Sequence, residues 1–319
     1  MNGGGWMTEK NGSKGLSMKR QPVWFIRFVV FCMMISLITG CGAKGNPGEG
    51  TASTAQSDSS NQSGAQTQAD TLHVHVFKIG KADAILLMCG DKTMIIDCGE
   101  DEDGEEILSY LLDRGIEKVD VLLITHYDKD HVGGADYVVR ENKVDQVILP
   151  AYVGTNSEYM DFMKALDQKK ISRTEVTEPM EFSLGQASVT VEPPQSYVIP
   201  NDGKEYDNDL SLITTVEFAG KRLVFAGDIE KQRISEWLAG GTVQKCDVLK
   251  VPHHGVYNKA LGDLFEALQP SYAVICDSDK NPAEEKTMEL IKNSGAECLE
   301  TRNGDISIIC SDAGIDVYQ

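Results

Sequence analysis

Two histidines and two aspartates lie within six positions of the segment 125–134, which reads THYDKDHVGG. The largely apolar run 119–124 before them predicts a buried strand, so these side chains should lie on the turn at its C-terminal end, where α/β folds usually carry their chemistry. Imidazole and carboxylate bind divalent metal ions, and alternate residues of an extended turn can converge on one or two ions. The Gly-Gly pair would let the backbone turn tightly into a helix starting near Ala135. The alternative is a solvated polar loop. The four side chains are His126, Asp128, Asp130 and His131.

Two later strand ends carry further candidates. The apolar run 223–226 is followed by Gly-Asp at Asp228, and the run 248–251 is followed by Pro-His-His-Gly. Neighbouring side chains on an extended backbone face opposite ways, so only one of the two adjacent histidines can point at an ion. We predict that His253 is the ligand and that His254 contacts either the transition state or a metal ligand. Asp228 could instead cap the helix that follows it, which is a common use of a carboxylate.

These segments resemble a known family. The segment 125–134 is similar to the His-x-His-x-Asp-His signature of the metallo-β-lactamase fold, with Asp128 in place of the second histidine. That variant, followed by Gly-Gly, is typical of the soluble hydrolase domain of ComEC-type DNA-uptake proteins. The residues GKADA at 80–84 resemble the Gly-x-Gly-Asp-Ala turn of the same family, with Ala82 for the second glycine. The resemblance spans about residues 72–316. It implies an α/β fold, a metallo-β-lactamase-like four-layer αββα sandwich.

The resemblance also implies roles for single residues. Asp228 would bridge two metal ions. Asp97 would orient a metal-ligating histidine, although a strand-end aspartate also commonly bonds to turn amides. Asn208 stands where other members of the fold supply a histidine ligand. An amide oxygen binds zinc more weakly than imidazole does, so the site could hold either one ion or two. The family usually has serines after His-His-Gly, whereas residues 256–258 are Val-Tyr-Asn here.

The sequence therefore predicts a metal site of three imidazoles and three carboxylates, with two further polar residues behind them. This donor set suits one or two Zn²⁺ or Mn²⁺ ions, which would lower the pKa of a bound water to about 7 and make it the nucleophile. The predicted ligands are His126, Asp128, Asp130, His131, Asp228 and His253. The predicted catalytic residues are Asp130 and His254. The residues behind the ligands are Asp97 and Asn208.

The resemblance implies hydrolysis of a phosphodiester, with DNA as the first candidate substrate. Three other functions remain open on the sequence. The chain could hydrolyse another ester, a thioester or a lactam. It could be a cell-wall or teichoic-acid phosphodiesterase. It could also be a non-catalytic lipoprotein that binds a ligand on the same scaffold, because Asn208, Asn281 and the residues after Gly255 depart from the family pattern. The sequence suggests no protein partner.

The N-terminal part of the chain is typical of an exported lipoprotein. Basic residues precede the apolar run 28–38, which is too short for a comfortable membrane span but suits a signal peptide. Residues 38–41, Ile-Thr-Gly-Cys, resemble a bacterial lipobox and would make Cys41 the lipid site; an uncleaved anchor is the alternative. We predict a signal peptide at 1–40, a flexible tether at 41–70 rich in Gly, Ser, Ala, Thr and Gln, and a metallo-β-lactamase-like domain at 71–319. The lipid would anchor the domain to the outer face of the cytoplasmic membrane.

Net charge and cysteine content bear on nucleic-acid binding and on disulfide formation. The formal net charge is −19, so the surface repels nucleic acid in general, and a polyanion would have to be held by the metal site and a local patch. Most cysteines of the predicted domain lie in or beside apolar runs, which favours buried free thiols, although export permits disulfides. These cysteines are Cys89, Cys98, Cys246, Cys276, Cys298 and Cys310.

Overall fold

The computed structural model describes residues 71–198 and 206–319. The predicted signal peptide at 1–40, the predicted lipid site Cys41 and the tether at 41–70 lie outside these residues. Within them, no helix combines the length and the apolar character that crossing a membrane would require.

The described residues form fifteen strands and seven α-helices. The strands are β1 (Leu72–Val76), β2 (Ala84–Cys89), β3 (Lys92–Cys98), β4 (Lys118–Leu123), β5 (Lys143–Pro150), β6 (Ser172–Val176), β7 (Met180–Leu184), β8 (Ala187–Glu192), β9 (Ile213–Phe218), β10 (Lys221–Phe225), β11 (Val248–Lys250), β12 (Tyr272–Ile275), β13 (Glu297–Glu300), β14 (Ile306–Ser311) and β15 (Gly314–Tyr318). The helices are α1 (Asp103–Asp113), α2 (Lys129–Val132), α3 (Ala135–Glu141), α4 (Ser157–Lys169), α5 (Lys231–Ala239), α6 (Leu261–Leu268) and α7 (Glu285–Ser294).

The strands form two mixed sheets, each with a block of parallel strands beside antiparallel ones. One sheet has the order β15-β14-β1-β2-β3-β4-β5-β6, and the other has the order β13-β12-β11-β10-β9-β8-β7. In the first sheet, β3 to β6 are parallel and the remaining pairs are antiparallel. In the second, β10 to β13 are parallel and the remaining pairs are antiparallel. Each sheet therefore has one edge of parallel strand ends on which functional side chains can converge.

Three apolar layers hold the sheets and helices together. The central layer joins side chains of both sheets, such as Leu87 and Val216, and excludes water from between them. A second layer packs the first sheet against α1, α3 and α4, and a third packs the second sheet against α5, α6 and α7. Strands buried on both faces need nearly continuous apolar runs, and β2 and the second half of β4 have them. The predicted four-layer αββα sandwich is confirmed.

The cysteines also behave as predicted. All six in the described residues are free thiols, five of them are buried, and Cys298 is half-buried. Burial raises the pKa of the Cys246 and Cys310 thiols to about 12, so these groups are unreactive at neutral pH.

Candidate metal centre

The candidate residues lie at the C-terminal ends of four parallel strands, two from each sheet. Strand β3 ends beside Asp97 and its parallel neighbour β4 leads to the segment 125–131. In the second sheet, β10 leads to Asp228 and its parallel neighbour β11 leads to the His253-His254 pair. The parallel arrangement thus delivers side chains from distant parts of the chain to one place.

The sequence predicted an extended turn after β4, but only part of this segment is extended. Asp128 has an extended backbone (φ −65°, ψ 148°), but Asp130 and His131 lie on the single helical turn α2. Gly133 and Gly134 form the turn between α2 and α3, but their φ values of −53° and −76° are open to any residue, so the turn itself does not require glycine. A Cβ at Gly134 would lie 2.5 Å from the carbonyl oxygen of Cys98. The glycine pair instead permits close contact with the chain just after Asp97.

Each of three buried histidines has its Nδ1 held by another group. His131 Nδ1 donates to Asp97 Oδ2 at 2.8 Å, and the amide and hydroxyl of Thr125 donate to the same carboxylate. His254 Nδ1 donates to the carbonyl oxygen of Cys276 at 3.0 Å. His126 Nδ1 lies 3.1 Å from the Thr125 hydroxyl oxygen, whose own proton goes to Asp97. The Nε2 atom of each ring is therefore the one left to accept a bond.

These three Nε2 atoms are buried, and none makes a hydrogen bond of good geometry among the described residues, although those of His131 and His254 lie within ion-pair distance of Asp228. An unpaired buried nitrogen is costly, whereas a metal ion would use its lone pair. The Nε2 atoms of His131 and His254 lie 3.2 and 3.0 Å from Oδ2 of Asp228. His254 Nε2 is also 3.5 Å from Asp130 Oδ2, and His126 Nε2 is 3.7 Å from Asp128 Oδ2. The residues present therefore fit a divalent ion.

Three overlapping groups of candidate ligand atoms occur among the described residues, each lying within 4.8 Å. In one of them, Asp83, Asp97 and His131, the carboxylate of Asp97 already holds Nδ1 of His131. The two groups that remain for an ion are His126, His131 and Asp228, and Asp130, His131 and His254. The donors are imidazole nitrogens and carboxylate oxygens, the set that zinc and manganese accept. Since the two groups share His131 and meet at Asp228, the centre has room for one ion or for two close together.

The structure places the two adjacent histidines differently from the sequence-based prediction. His254 is almost completely buried and faces Asp130 and Asp228, whereas the side chain of His253 is 20% exposed and its Nδ1 lies 3.0 Å from Glu230 Oε1. The structure thus places the ring of His254, not that of His253, among the candidate ligands. The alternation argument fails because both residues have left-handed backbones, with φ values of 48° and 51°, in the turn Pro252–Gly255.

Asn208 lies on the same side as His253. Its Nδ2 donates to Glu230 Oε1 at 3.3 Å, and its Oδ1 is buried without a hydrogen-bond partner among the described residues. Asp209, the next residue, accepts hydrogen bonds from the amides of Glu230 and Arg233 and so caps α5. Asp228 does not cap that helix, whose N-cap residue is Glu230.

A buried ion pair that the sequence motifs did not predict lies beside the centre. Lys250 is 1% exposed, and its ammonium group contacts Asp83 Oδ2, Asp228 Oδ1 at 3.2 Å and the carbonyl oxygen of Gly227 at 3.0 Å. Lys250 therefore holds Oδ1 of Asp228 and leaves Oδ2 for the centre. A lysine inside the apolar run 248–251 was the available signal, because a buried charge needs a partner.

Opposite charges in the centre shift the pKa values of its histidines and carboxylates toward their ionised forms. Burial alone would lower the pKa of His131, but the carboxylates of Asp228 and Asp97 raise it well above the usual value. His254 is shifted in the same direction, mainly by Asp228 and Asp130 against the effect of burial. Burial would raise the pKa of Asp228, yet His254, His131 and Lys250 hold it well below the usual value. Without a metal, the centre is a network of ion pairs.

Comparison with known proteins places this centre in a family. A family model described as the Metallo-beta-lactamase superfamily matches residues 80–276. ComE operon protein 3 of Bacillus subtilis is 27% identical over 208 residues, covering 64% of this chain and 26% of that protein. Recombination protein 2 of Haemophilus influenzae is 26% identical over 222 residues, covering 68% of this chain and 26% of that protein. The chain spans about a quarter of the length of these relatives.

A solved structure shows the same fold. CmlA, a diiron β-hydroxylase from Streptomyces venezuelae, superposes with a TM-score of 0.51 at 13% sequence identity, over 76% of this chain and 54% of that chain. The two sequence relatives confirm the resemblance to ComEC-type hydrolase domains that the motifs indicate. The family match covers more than half of the chain and includes every candidate ligand from His126 to His254. The chain therefore belongs to the metallo-β-lactamase superfamily.

Proposed function

We propose that this metallo-hydrolase is a phosphodiesterase or nuclease that acts at the cell surface. One observation carries the proposal: three buried imidazoles direct their Nε2 atoms at carboxylates of the centre, and those of His131 and His254 lie 3.2 and 3.0 Å from Oδ2 of Asp228. The names of the two sequence relatives, a ComE operon protein and a recombination protein, support a nucleic-acid substrate. DNA is therefore the first substrate to test.

The buried and exposed sides of the centre determine how a substrate would approach. His126, His131 and His254 are buried, whereas the side chains of Asp128 and Asp130 are 43% and 13% exposed. Substrate would therefore enter from the side of these two aspartates.

Each group of the chain then has a distinct task. A bound Zn²⁺ or Mn²⁺ would supply a Lewis acid and a water of lowered pKa. His126, His131, His254 and Asp228 would hold the ion. Burial would raise the pKa of Asp130, but the hydrogen bond to His254 and the charges of His131 and Lys81 hold it below its usual value. Its carboxylate is therefore ionised and would accept a hydrogen bond from an attacking water, which orients that water. Asp97 would keep the His131 ring aligned through Nδ1.

The test is turnover of bis(4-nitrophenyl) phosphate and of single-stranded DNA by the metal-loaded protein. We expect Asp130→Ala to abolish turnover, while Asp167→Ala, a change of the same type at a surface ion pair with Arg173, leaves it unchanged. Full turnover by Asp130→Ala would remove the assignment of this site.

The same assays separate the other functions. Hydrolysis of a chromogenic β-lactam or a thioester, without diester turnover, would favour a different hydrolase. Release of phosphodiester fragments from cell-wall extract, with DNA left intact, would favour a teichoic-acid enzyme. Less than about one ion per chain after loading with Zn²⁺ or Mn²⁺ would favour a non-catalytic binding protein.

The cell-surface part of the proposal rests on the N-terminal sequence. Ile38-Thr39-Gly40-Cys41 would direct lipid attachment to Cys41 and anchor the enzyme to the outer face of the cytoplasmic membrane. Metabolic labelling with a radioactive fatty acid should mark the wild-type protein and not the Cys41→Ser variant. Equal labelling of both would contradict lipid attachment at this cysteine.

A further inference from the structure

We infer that Lys81 is a substrate-binding residue whose ammonium group holds a non-bridging oxygen of an anionic phosphodiester. The inference rests on the proposed function, because it names the group at the same site that recognises the charge of the substrate. It also selects among the hydrolase reactions: an enzyme for uncharged esters would have no use for a cation at this position.

Lys81 lies at the solvent edge of the centre. Its Nζ is 3.2 Å from Oδ2 of Asp130, and its side chain is 31% exposed against 13% for Asp130. The same oxygen of Asp130 is 3.5 Å from Nε2 of His254. The ammonium group is thus beside a candidate metal ligand, on the side from which we expect the substrate to enter.

The turn that carries Lys81 is fixed to the centre at two points. The amide of Asp83 donates to the carbonyl oxygen of Asp130 at 3.0 Å, and the amide of Gly99 donates to the carbonyl oxygen of Asp83 at 2.8 Å. The Asp83 side chain is paired with Lys250. The backbone of this turn is therefore held in place by hydrogen bonds, which reduces the entropy lost when the ammonium group of Lys81 binds.

The other lysines near the centre are not placed to bind a phosphodiester oxygen. Lys250 is buried, and its three donors are used by Asp83, Asp228 and Gly227. Lys129 is 67% exposed and pairs with Glu100. Among the residues that the structure describes, Lys81 is the basic side chain that both contacts a candidate ligand and reaches solvent. In a chain of net charge −19, a local cation of this kind is needed to bring a phosphodiester to the site.

An ammonium group has three N–H donors, and Asp130 engages one of them. An anionic oxygen of the substrate can bind another of these donors while Asp130 keeps its own. A hydrogen bond between charged groups is worth about 1.5–3 kcal/mol, so its loss weakens binding by roughly 10-fold to 100-fold. Because the site is partly open to solvent, we expect about the lower figure.

The experiment compares Lys81→Gln and Lys81→Arg with the control Lys78→Gln. Lys78 is an exposed lysine of the same connection, so its substitution removes the same charge away from the centre. Three quantities are measured on the metal-loaded proteins: metal content, KM and kcat for bis(4-nitrophenyl) phosphate, and Kd for inorganic phosphate by calorimetry. We expect Lys81→Gln to raise KM and the phosphate Kd about 10-fold with metal content unchanged. Lys81→Arg should recover most of the loss, and Lys78→Gln should behave as wild type.

Unchanged phosphate binding by Lys81→Gln would overturn the inference and leave the phosphodiesterase proposal standing. Loss of metal content in Lys81→Gln would also overturn it, because Lys81 would then be a positioning residue for Asp130. If the wild-type protein has no diester turnover, weaker phosphate binding by Lys81→Gln still supports the inference while the proposed function fails. If the wild-type protein does not bind phosphate, an unchanged KM for the diester in Lys81→Gln would overturn the inference, and diester turnover by the wild type would still decide the proposed function.

Discussion

The Nε2 atom of His254 lies 3.0 Å from Oδ2 of Asp228, and both side chains are almost completely buried. The two residues come from the ends of neighbouring parallel strands, β11 and β10. The other nitrogen of His254 is fixed by the carbonyl oxygen of Cys276, and the other oxygen of Asp228 is fixed by Lys250. Each residue therefore offers one defined atom to a metal ion, which leads to the following predictions.

His254→Ala should weaken metal binding by at least about 100-fold, because it removes a ligand and not merely a residue that supports one. His253→Ala is the matched control: it changes the neighbouring imidazole, which contacts Glu230 and not the candidate ligands. Metal content after dialysis against a graded series of free Zn²⁺, measured by mass spectrometry, gives both affinities. Equal losses in the two variants, or a larger loss in His253→Ala, would contradict the assignment of His254.

Lys250→Met should destabilise the metal-free protein by about 3–5 kcal/mol, because it leaves Asp83 and Asp228 buried without their counter-charge. The measurement is the free energy of unfolding in urea. Arg173→Met, which breaks an exposed pair with Asp167, should cost less than about 1 kcal/mol. A Lys250→Met protein as stable as the wild type would show that this ion pair is dispensable.

Asp97→Asn should lower metal affinity about 10-fold to 100-fold, because an amide cannot accept from His131 Nδ1 and both Thr125 donors as a carboxylate does. The size of Asn matches that of Asp, so the packing around the buried side chain is retained. Far-UV circular dichroism and the unfolding midpoint would check this. A correctly folded variant with wild-type affinity would mean that Asp97 does not orient His131.

Metal binding should release about two protons at neutral pH, because Asp228 and its neighbouring carboxylates raise the pKa values of His131 and His254 against the effect of burial. The affinity for the metal ion should therefore increase with pH until the pH exceeds the raised pKa values of His131 and His254. Calorimetry in two buffers of different protonation enthalpy counts the protons. An enthalpy independent of the buffer would contradict the prediction.

The same two histidines should make the stability of the metal-free protein depend on pH. A histidine pKa raised by folding stabilises the native state fully below the unfolded value of about 6.5. That contribution is lost as the pH rises through the folded-state pKa. We therefore expect the urea midpoint of the metal-free protein to fall on the alkaline side of neutrality, and the metal-loaded protein to lose this dependence. A midpoint that rises over the same range would contradict it.

The fold was largely predictable from the sequence. Apolar runs that end in Asp97, in His126 to His131, at Asp228 and before the histidine pair indicated buried strands with polar ends, and the structure has β3, β4, β10 and β11 there. The motif spacing indicated the family as well as the fold. These features are local, because burial of a strand on both faces requires a continuous apolar run and a parallel sheet carries its chemistry at the strand ends.

Several details of the site were not predictable in this way. Asp130 and His131 lie on a helical turn, and the glycines that follow serve a close contact with the chain near Cys98. Lys250 and Asp83 form their ion pair across the two sheets, which no local pattern reveals. Sequence spacing gives only the identity and order of such groups, whereas their contacts depend on how the sheets pack.

The sequence by itself determined the layered fold, the family and the chemical type of the metal ligands. Only the tertiary structure decided which of the two adjacent histidines faces the centre. That choice follows from left-handed φ values at His253 and His254, which a non-glycine residue adopts only when surrounding contacts stabilise it. Here those contacts come from distant residues: the carbonyl oxygen of Cys276 holds His254, and that of Gly227 accepts from the amide of His253.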